Sequence, residues 1–211
     1  GYCVRARLGF TGFHRMSAPL TDEQLAAFAR DGFVVLSSFY EPAEVEAVQR
    51  GVHSIIGLLI EQHQLSIEQP DFTPETFDAG YQALIAHDRA LGGVVYDAVK
   101  QIPAFIRLVA SAQHEAVVRQ LRGTKSPGVA AGGYGIRIDN PGEEKFRAGW
   151  HQDYPAQIRS LDGLVFWSPL MKVSEELGPV EFCIGSHQDG LVSVHTRDSK
   201  DPGKTGAYAL V

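Results

Sequence analysis

The chain has 211 residues with 25 acidic and 19 basic side chains, a formal charge of −6, and 44% hydrophobic residues punctuated by 22 Gly and 11 Pro. This is the composition of a folded, turn-rich protein, long enough to bury a core without a disulfide or structural metal. An acidic balance with no Lys/Arg run interleaved with aromatics excludes a nucleic-acid surface, and apolar stretches such as 55–60 fall far short of the roughly 20 residues a membrane span needs.

Oligomeric state is left open. Residues 1–15, "GYCVRARLGFTGFHR", carry charge but lack the apolar centre of a signal peptide, and Met16 with "SAPLTDEQLAAF" looks like a fresh start. They are set apart as a non-native or extension segment, and 16–211 is taken as one domain. The two cysteines, Cys3 and Cys183, lie far apart and are expected to be thiols in a reducing, cytoplasmic compartment.

Thr21, with Gln24 three residues on, forms a capping-box pattern, and Leu25, Phe28 and Ala29 give a helical stripe ending near Gly32. "GFVVLSSFY" is β-branched and apolar, so a short strand is expected there. A long helix should follow, because Pro42 suits a first turn and Val45, Val48, Val52, Ile55, Ile56 and Leu59 recur at helical spacing. Residues 66–80 break into a Pro-containing loop. Two or three further helices are expected up to 122, interrupted at Pro103.

From Gly123 the texture changes to turns and β-branched runs. "YGIRI" alternates as a strand should, "DNPGEE" marks a turn, and "GLVFWSPLMKV", "VEFCIGSH" and "GLVSVHTRD" predict three more strands. Tyr208–Val211 begins another. Helices over 20–122 followed by strands over 123–211 predict an α+β fold, with helices packed on a sheet sandwich or barrel.

"AGWHQDYPAQ" carries the chemistry. On a strand, residues i and i+2 share a face, so His151 and Asp153 offer an imidazole nitrogen and a carboxylate oxygen to one point. With a second His, that is a facial set of two His and one carboxylate that leaves positions open on iron(II). The bland alternative is a polar pair at a strand end. Arg137 in "YGIRIDNP" is a candidate for bidentate pairing with a carboxylate, or else a surface charge on an alternating strand. Other motifs carry less. His53 and His63 miss the i, i+4 spacing of helical metal pairs, and His87 and His114 read as solvated faces. "GGYG" and "PGKTG" lack the strand and helix of a nucleotide loop. Ser186 sits in G-S-H, not in a G-x-S-x-G elbow. A zinc hydrolase is disfavoured because only two ligands converge.

Trp150, His151, Gln152 and Asp153, then Trp167, Gly178, Val180, Gly185, Ser186 and His187, together resemble the phytanoyl-CoA dioxygenase family of iron(II)/2-oxoglutarate oxygenases. The opening "LTDEQLAAFARDGFVVL" is similar to the start of these proteins, so the resemblance covers most of 20–195. It implies a double-stranded β-helix, a jelly-roll or cupin-like core with the N-terminal helices packed on it. It implies His151 and Asp153 as ligands of Fe(II), and Gln152 and Trp167 as co-substrate contacts. It also implies a third ligand His on a late strand and an Arg after it that pairs with 2-oxoglutarate. Neither is placed before Val211. His187 is expected to order its turn rather than bind metal, and His195 falls too early, so the remaining strands are expected beyond Val211 or missing.

The activity so implied consumes 2-oxoglutarate and O2, yields succinate, and hydroxylates an unactivated C–H bond of a small molecule or acyl thioester. Asp153 favours hydroxylation, since related halogenases place a small residue there. The alternative from another class is a non-catalytic cupin-like protein that binds a metal or ligand.

Overall fold

The computed structural model describes residues 20–143, 149–154 and 160–192 in full, and the backbone alone of 5–7, 194–197 and 205–210. In chain order the elements are β1 (Arg5–Arg7), α1 (Asp22–Asp31), α2 (Pro42–Gln62), α3 (Tyr81–His87) and α4 (Ala90–Ala98). Then come α5 (Pro103–Val109), α6 (Ala112–Arg122), β2 (Glu181–Cys183), β3 (Val194–Arg197) and β4 (Thr205–Leu210). Short 3-10 turns occupy Val99–Gln101, Glu175–Leu177 and Ser186–Asp189. The chain divides into two compact units, Gly1–Phe39 with Glu115–Ala130 and Phe146–Val211, and Tyr40–His114 with Ala131–Lys145.

The second of these is helical, and α2 organises it. Pro42 opens α2, where its missing N–H costs nothing, and the Glu44 carboxylate accepts from the Glu41 N–H at 3.0 Å. The stripe Val48, Val52, Ile56, Leu59 and Ile60 is buried, and α2 packs against α3, α4 and α5. Leu84, Val95 and Val99 close the core with 0–1% exposure, so truncating any of them to Ala costs about 2–5 kcal/mol for the longer chains. Gly80 starts α3 at φ +91°, and a Cβ there would sit 2.9 Å from Ile60 Cδ1. Only glycine meets both demands.

Side-chain amides hold the expected loop before α3. Gln49 is buried and donates to the Pro74 carbonyl at 3.3 Å, while Gln69 Nε2 donates to the carbonyls of His53 at 3.1 Å and Ala79 at 3.0 Å. Pro103 begins α5 instead of merely breaking a helix. The "DNPGEE" turn is fixed by Arg89, whose guanidinium grips Glu143 at 2.6 and 3.1 Å while Asn140 donates to the same carboxylate at 3.2 Å.

His114, expected on a solvated face, is part-buried instead. Its Nδ1–H donates to the Val109 carbonyl at 3.0 Å and its Nε2 accepts from the Tyr40 hydroxyl at 2.7 Å. Tyr40 also meets the ring edge-on, with centroids 5.6 Å apart. Burial pulls the His114 pKa below its ordinary value, against the opposing pull of backbone hydrogen bonds to Val109 and Leu108.

In the other unit, α1 starts as its sequence predicts. Thr21 Oγ1 accepts from Gln24 N–H at 3.2 Å and Gln24 Oε1 accepts from Thr21 N–H at 2.9 Å. Gln120 of α6 clamps the entry to α1, accepting from Leu20 N–H at 2.7 Å and donating to its carbonyl at 2.8 Å. α1 ends at Gly32, φ +84°, and its last carbonyls are taken by a turn more than 150 residues away. Gly185 N–H donates to Asp31 O at 2.8 Å, Gln188 to Arg30 O at 3.1 Å, and His187 Nε2 to Ala29 O at 3.0 Å. The His187 ring lies over Gly32, where a Cβ would run into the imidazole.

The expected strand over 32–40 forms no ladder. Phe33 stacks on Phe182 at 4.8 Å and 8°, and a turn at Ser38, φ +53°, follows. Among the described residues the other predicted strands at 134–138 and 163–173 also lie outside any ladder, whereas β2, β3 and β4 fall where strands are expected. β1 pairs antiparallel with β2 in the register Arg5↔Cys183, Ala6↔Phe182, Arg7↔Glu181, so part of the segment set apart from the fold joins a sheet. β3 pairs antiparallel with β4, with an irregularity between His195 and Arg197. Cys183 is disulfide-bonded, which corrects the expectation that both cysteines are thiols and removes the support it lent to a reducing compartment. Spacing alone gives no hint of a cross-link that folding brings about. Among the described residues no helix is long and apolar enough to cross a membrane.

Two predictions follow from this packing. Gly32→Ala should destabilise the protein by about 1–3 kcal/mol through its left-handed φ and the imidazole above it. Adding His187→Ala should relieve the steric share, so the double variant loses less than the sum, as read by urea unfolding. His114 has a lowered folded pKa, so its contribution is fully present above the unfolded value of about 6.5 and is lost as pH falls through the folded value. His114→Gln should therefore flatten the fall in unfolding free energy between pH 7.5 and 5; an unchanged slope would place the titrating group elsewhere.

Candidate metal centre

The His-x-Asp segment does what its spacing predicts. His151 Nε2 and Asp153 Oδ1 lie 3.4 Å apart, with side chains 39% and 30% exposed, so both donors face one accessible point. Two ligands each about 2.1 Å from a six-coordinate cation, at a right angle, would stand about 3.0 Å apart. The pair is close to that separation, and one imidazole nitrogen with one carboxylate oxygen is a donor set that suits iron or zinc. Two of the required ligands therefore fit.

Main chain orients the imidazole. Nδ1 is 2.7 Å from the Gly149 carbonyl and donates its proton there, so in the neutral ring Nε2, the nitrogen facing Asp153, is the acceptor. A ligating His ordinarily has its other N–H held by a carbonyl or carboxylate in this way, fixing tautomer and ring plane. The sequence could not announce this partner, because any residue at position 149 would carry the same carbonyl.

Gln152 points its amide away from the pair. Its Nε2 donates to the Gly190 carbonyl at 2.8 Å and its Oε1 accepts from Val192 N–H at 3.0 Å. Trp167 is 45% exposed, while its neighbour Phe166 turns inward to stack on Phe39 at 6.2 Å. Arg137 falls in the helical unit, where its Nε donates to Asp139 Oδ1 at 2.7 Å. Of the five residues singled out from sequence, the structure brings His151 and Asp153 into contact.

His187 is engaged at the end of α1, as expected of a residue that orders its turn. His195 lies on β3, and its side chain is outside the described residues. His53 Nε2 meets the Pro70 carbonyl at 2.9 Å and its ring meets Phe72 edge-on, a structural setting. Among the described residues no three His, Cys, Asp or Glu side chains gather closely enough to hold a metal by themselves.

The family profile of phytanoyl-CoA dioxygenase (PhyH) matches residues 28–206, a span that includes the last turn of α1, the His-x-Asp pair and the Gly-Ser-His turn. The chain belongs to this family, whose members are typically iron(II)- and 2-oxoglutarate-dependent oxygenases. Comparison with curated proteins and with solved structures gave no match.

The geometry predicts the tautomer of His151. In the neutral ring the proton should reside on Nδ1, and nitrogen NMR of the imidazole should show a protonated Nδ1 and a bare Nε2 at pH 8. A proton on Nε2 would mean that the Gly149 contact does not orient the ring.

Proposed function

We propose that this chain is an Fe(II)- and 2-oxoglutarate-dependent hydroxylase, with His151 and Asp153 as two of its three protein ligands. The observation that carries the reading is the 3.4 Å approach of Nε2 to Oδ1, with Nδ1 tied to Gly149, inside a span that matches the family. The third ligand is a histidine outside the described residues. The fold that goes with this reading is a double-stranded β-helix.

Bound iron(II) supplies the activation of O2 that decarboxylates 2-oxoglutarate to succinate and oxidises an unactivated C–H bond. The chain's own residues do the rest. His151 presents Nε2 in one tautomer, Asp153 presents Oδ1 beside it, and Gly149 keeps the ring from rotating. With the metal bound, the Asp153 carboxylate would take the place that a halide ligand needs, so the chemistry supported would be hydroxylation and not halogenation. Trp167 offers an exposed indole to the co-substrate. Both side chains are partly exposed, which leaves the pair accessible to a small molecule.

The expected outcome is succinate formation from 2-oxoglutarate that requires Fe(II) and O2 and disappears in His151→Ala and Asp153→Ala. Each site variant should melt within about 1–2 °C of the parent, because removing an exposed ligand changes stability by about 0.5 kcal/mol or less. Fe(II) binding lost in both variants, with no succinate from any preparation, would instead favour a non-catalytic metal-binding protein.

A further inference from the structure

Gln152 stands between the two ligands and faces the other way. In an extended chain residues 151 and 153 share one face and residue 152 takes the opposite one, so whatever grips residue 152 sets where the other two point. Among the described residues the segment 149–154 joins no ladder, so no strand pairing within them fixes its rotation. A side chain does so instead.

A primary amide has one carbonyl and one N–H2 held in a plane, which is the donor–acceptor pattern of a peptide group. Gln152 uses it so. Nε2 donates to Gly190 O at 2.8 Å and Oε1 accepts from Val192 N–H at 3.0 Å, two main-chain groups on alternate residues, as a strand neighbour would supply. The partners lie 38 and 40 residues away in sequence, directly after the Ser186–Asp189 turn that is docked on the end of α1. Gln152 thus ties the ligand segment to a part of the unit that is itself anchored.

We infer that Gln152 is a positioning residue for the cation site: its amide locks the rotation of 151–153 against the main chain of 190–192, so that His151 and Asp153 converge. This rests on the reading of those two residues as metal ligands. It also assigns Gln152 a different task from contact with 2-oxoglutarate, since both ends of its amide are already engaged by main chain. A substitution that keeps the length of the side chain but removes both hydrogen bonds should loosen the site while leaving each ligand in the chain.

The test uses Co(II) as the probe, with the parent, Gln152→Met, which has neither bond, and Gln152→Glu, which keeps the acceptor for Val192 N–H. Three readouts are taken: Co(II) affinity by calorimetry, the visible Co(II) absorption at saturation, and amide hydrogen exchange at Val192 in the metal-free protein. Gln152→Met should exchange faster at Val192, bind Co(II) about tenfold or more weakly, as loss of supporting interactions around a site commonly does, and alter the absorption envelope. Gln152→Glu should keep much of the Val192 protection and bind between the two. Unchanged exchange at Val192 in both variants would overturn the tether. Faster exchange with unchanged Co(II) affinity and spectrum would overturn its link to the site. A parent protein that binds no Co(II), yet shows the exchange difference, would sink the metal reading itself and with it the positioning role, while leaving the tether as a fold contact. If Gln152→Met fails to fold, the Glu variant alone decides by the same three readouts.

Discussion

The three carbonyls that end α1 are the point on which the site-bearing unit depends. A helix end leaves acceptors without intrahelical partners, and here Asp31, Arg30 and Ala29 are met by Gly185, Gln188 and His187. That contact places the Ser186–Asp189 turn, the turn delivers Gly190 and Val192, and those two main-chain groups hold Gln152. His151 and Asp153 flank Gln152 and converge as a result. Gly32 is indispensable to the first link, because its αL turn and its missing Cβ let the imidazole lie flat over the helix terminus.

The two units are held by different forces. The helical one is packed, with Val48, Val52, Ile56, Leu84, Val95 and Val99 essentially sealed from solvent. A fully buried aliphatic side chain of this kind contributes about 1.5–3 kcal/mol. In the other unit large apolar side chains such as Leu161, Val165, Trp167, Met171 and Leu177 are exposed, and order comes from directional hydrogen bonds. Each of those contributes only about 0.5–1.5 kcal/mol net, but each fixes an orientation, which burial does not. The His151–Asp153 pair is oriented in this way, by an amide and main-chain carbonyls.

Arg30 grips Asp31 at 2.8 and 2.6 Å and holds its carboxyl below the usual range, with His187 adding a smaller pull in the same direction. The pair is exposed, so it shapes the surface around the helix end more than it stabilises the fold. The peptide carbonyls of the same residues, not their charges, carry the docking of the turn.

The sequence alone determined the helices and singled out the His151–Asp153 pair. Thr21 with Gln24, Pro42, and the apolar stripe of α2 are local signals, and helical hydrogen bonds join residues four apart, so local residues suffice to place them. His151 and Asp153 were legible because residues two apart in an extended chain share one face. Tertiary structure decided the rest. "GFVVLSSFY" has the texture of a strand, but a strand exists only if a partner arrives, and Phe33 finds a ring on Phe182 instead. Cys183 forms a disulfide that its spacing did not suggest, and His114 is withdrawn from solvent by Tyr40. The Gly149 carbonyl that fixes the tautomer and the carbonyl and N–H that hold Gln152 are main-chain groups, present at nearly every position and therefore invisible in a string of side chains. Which of them meets which side chain is set by where distant segments pack, and only the folded chain brings them together.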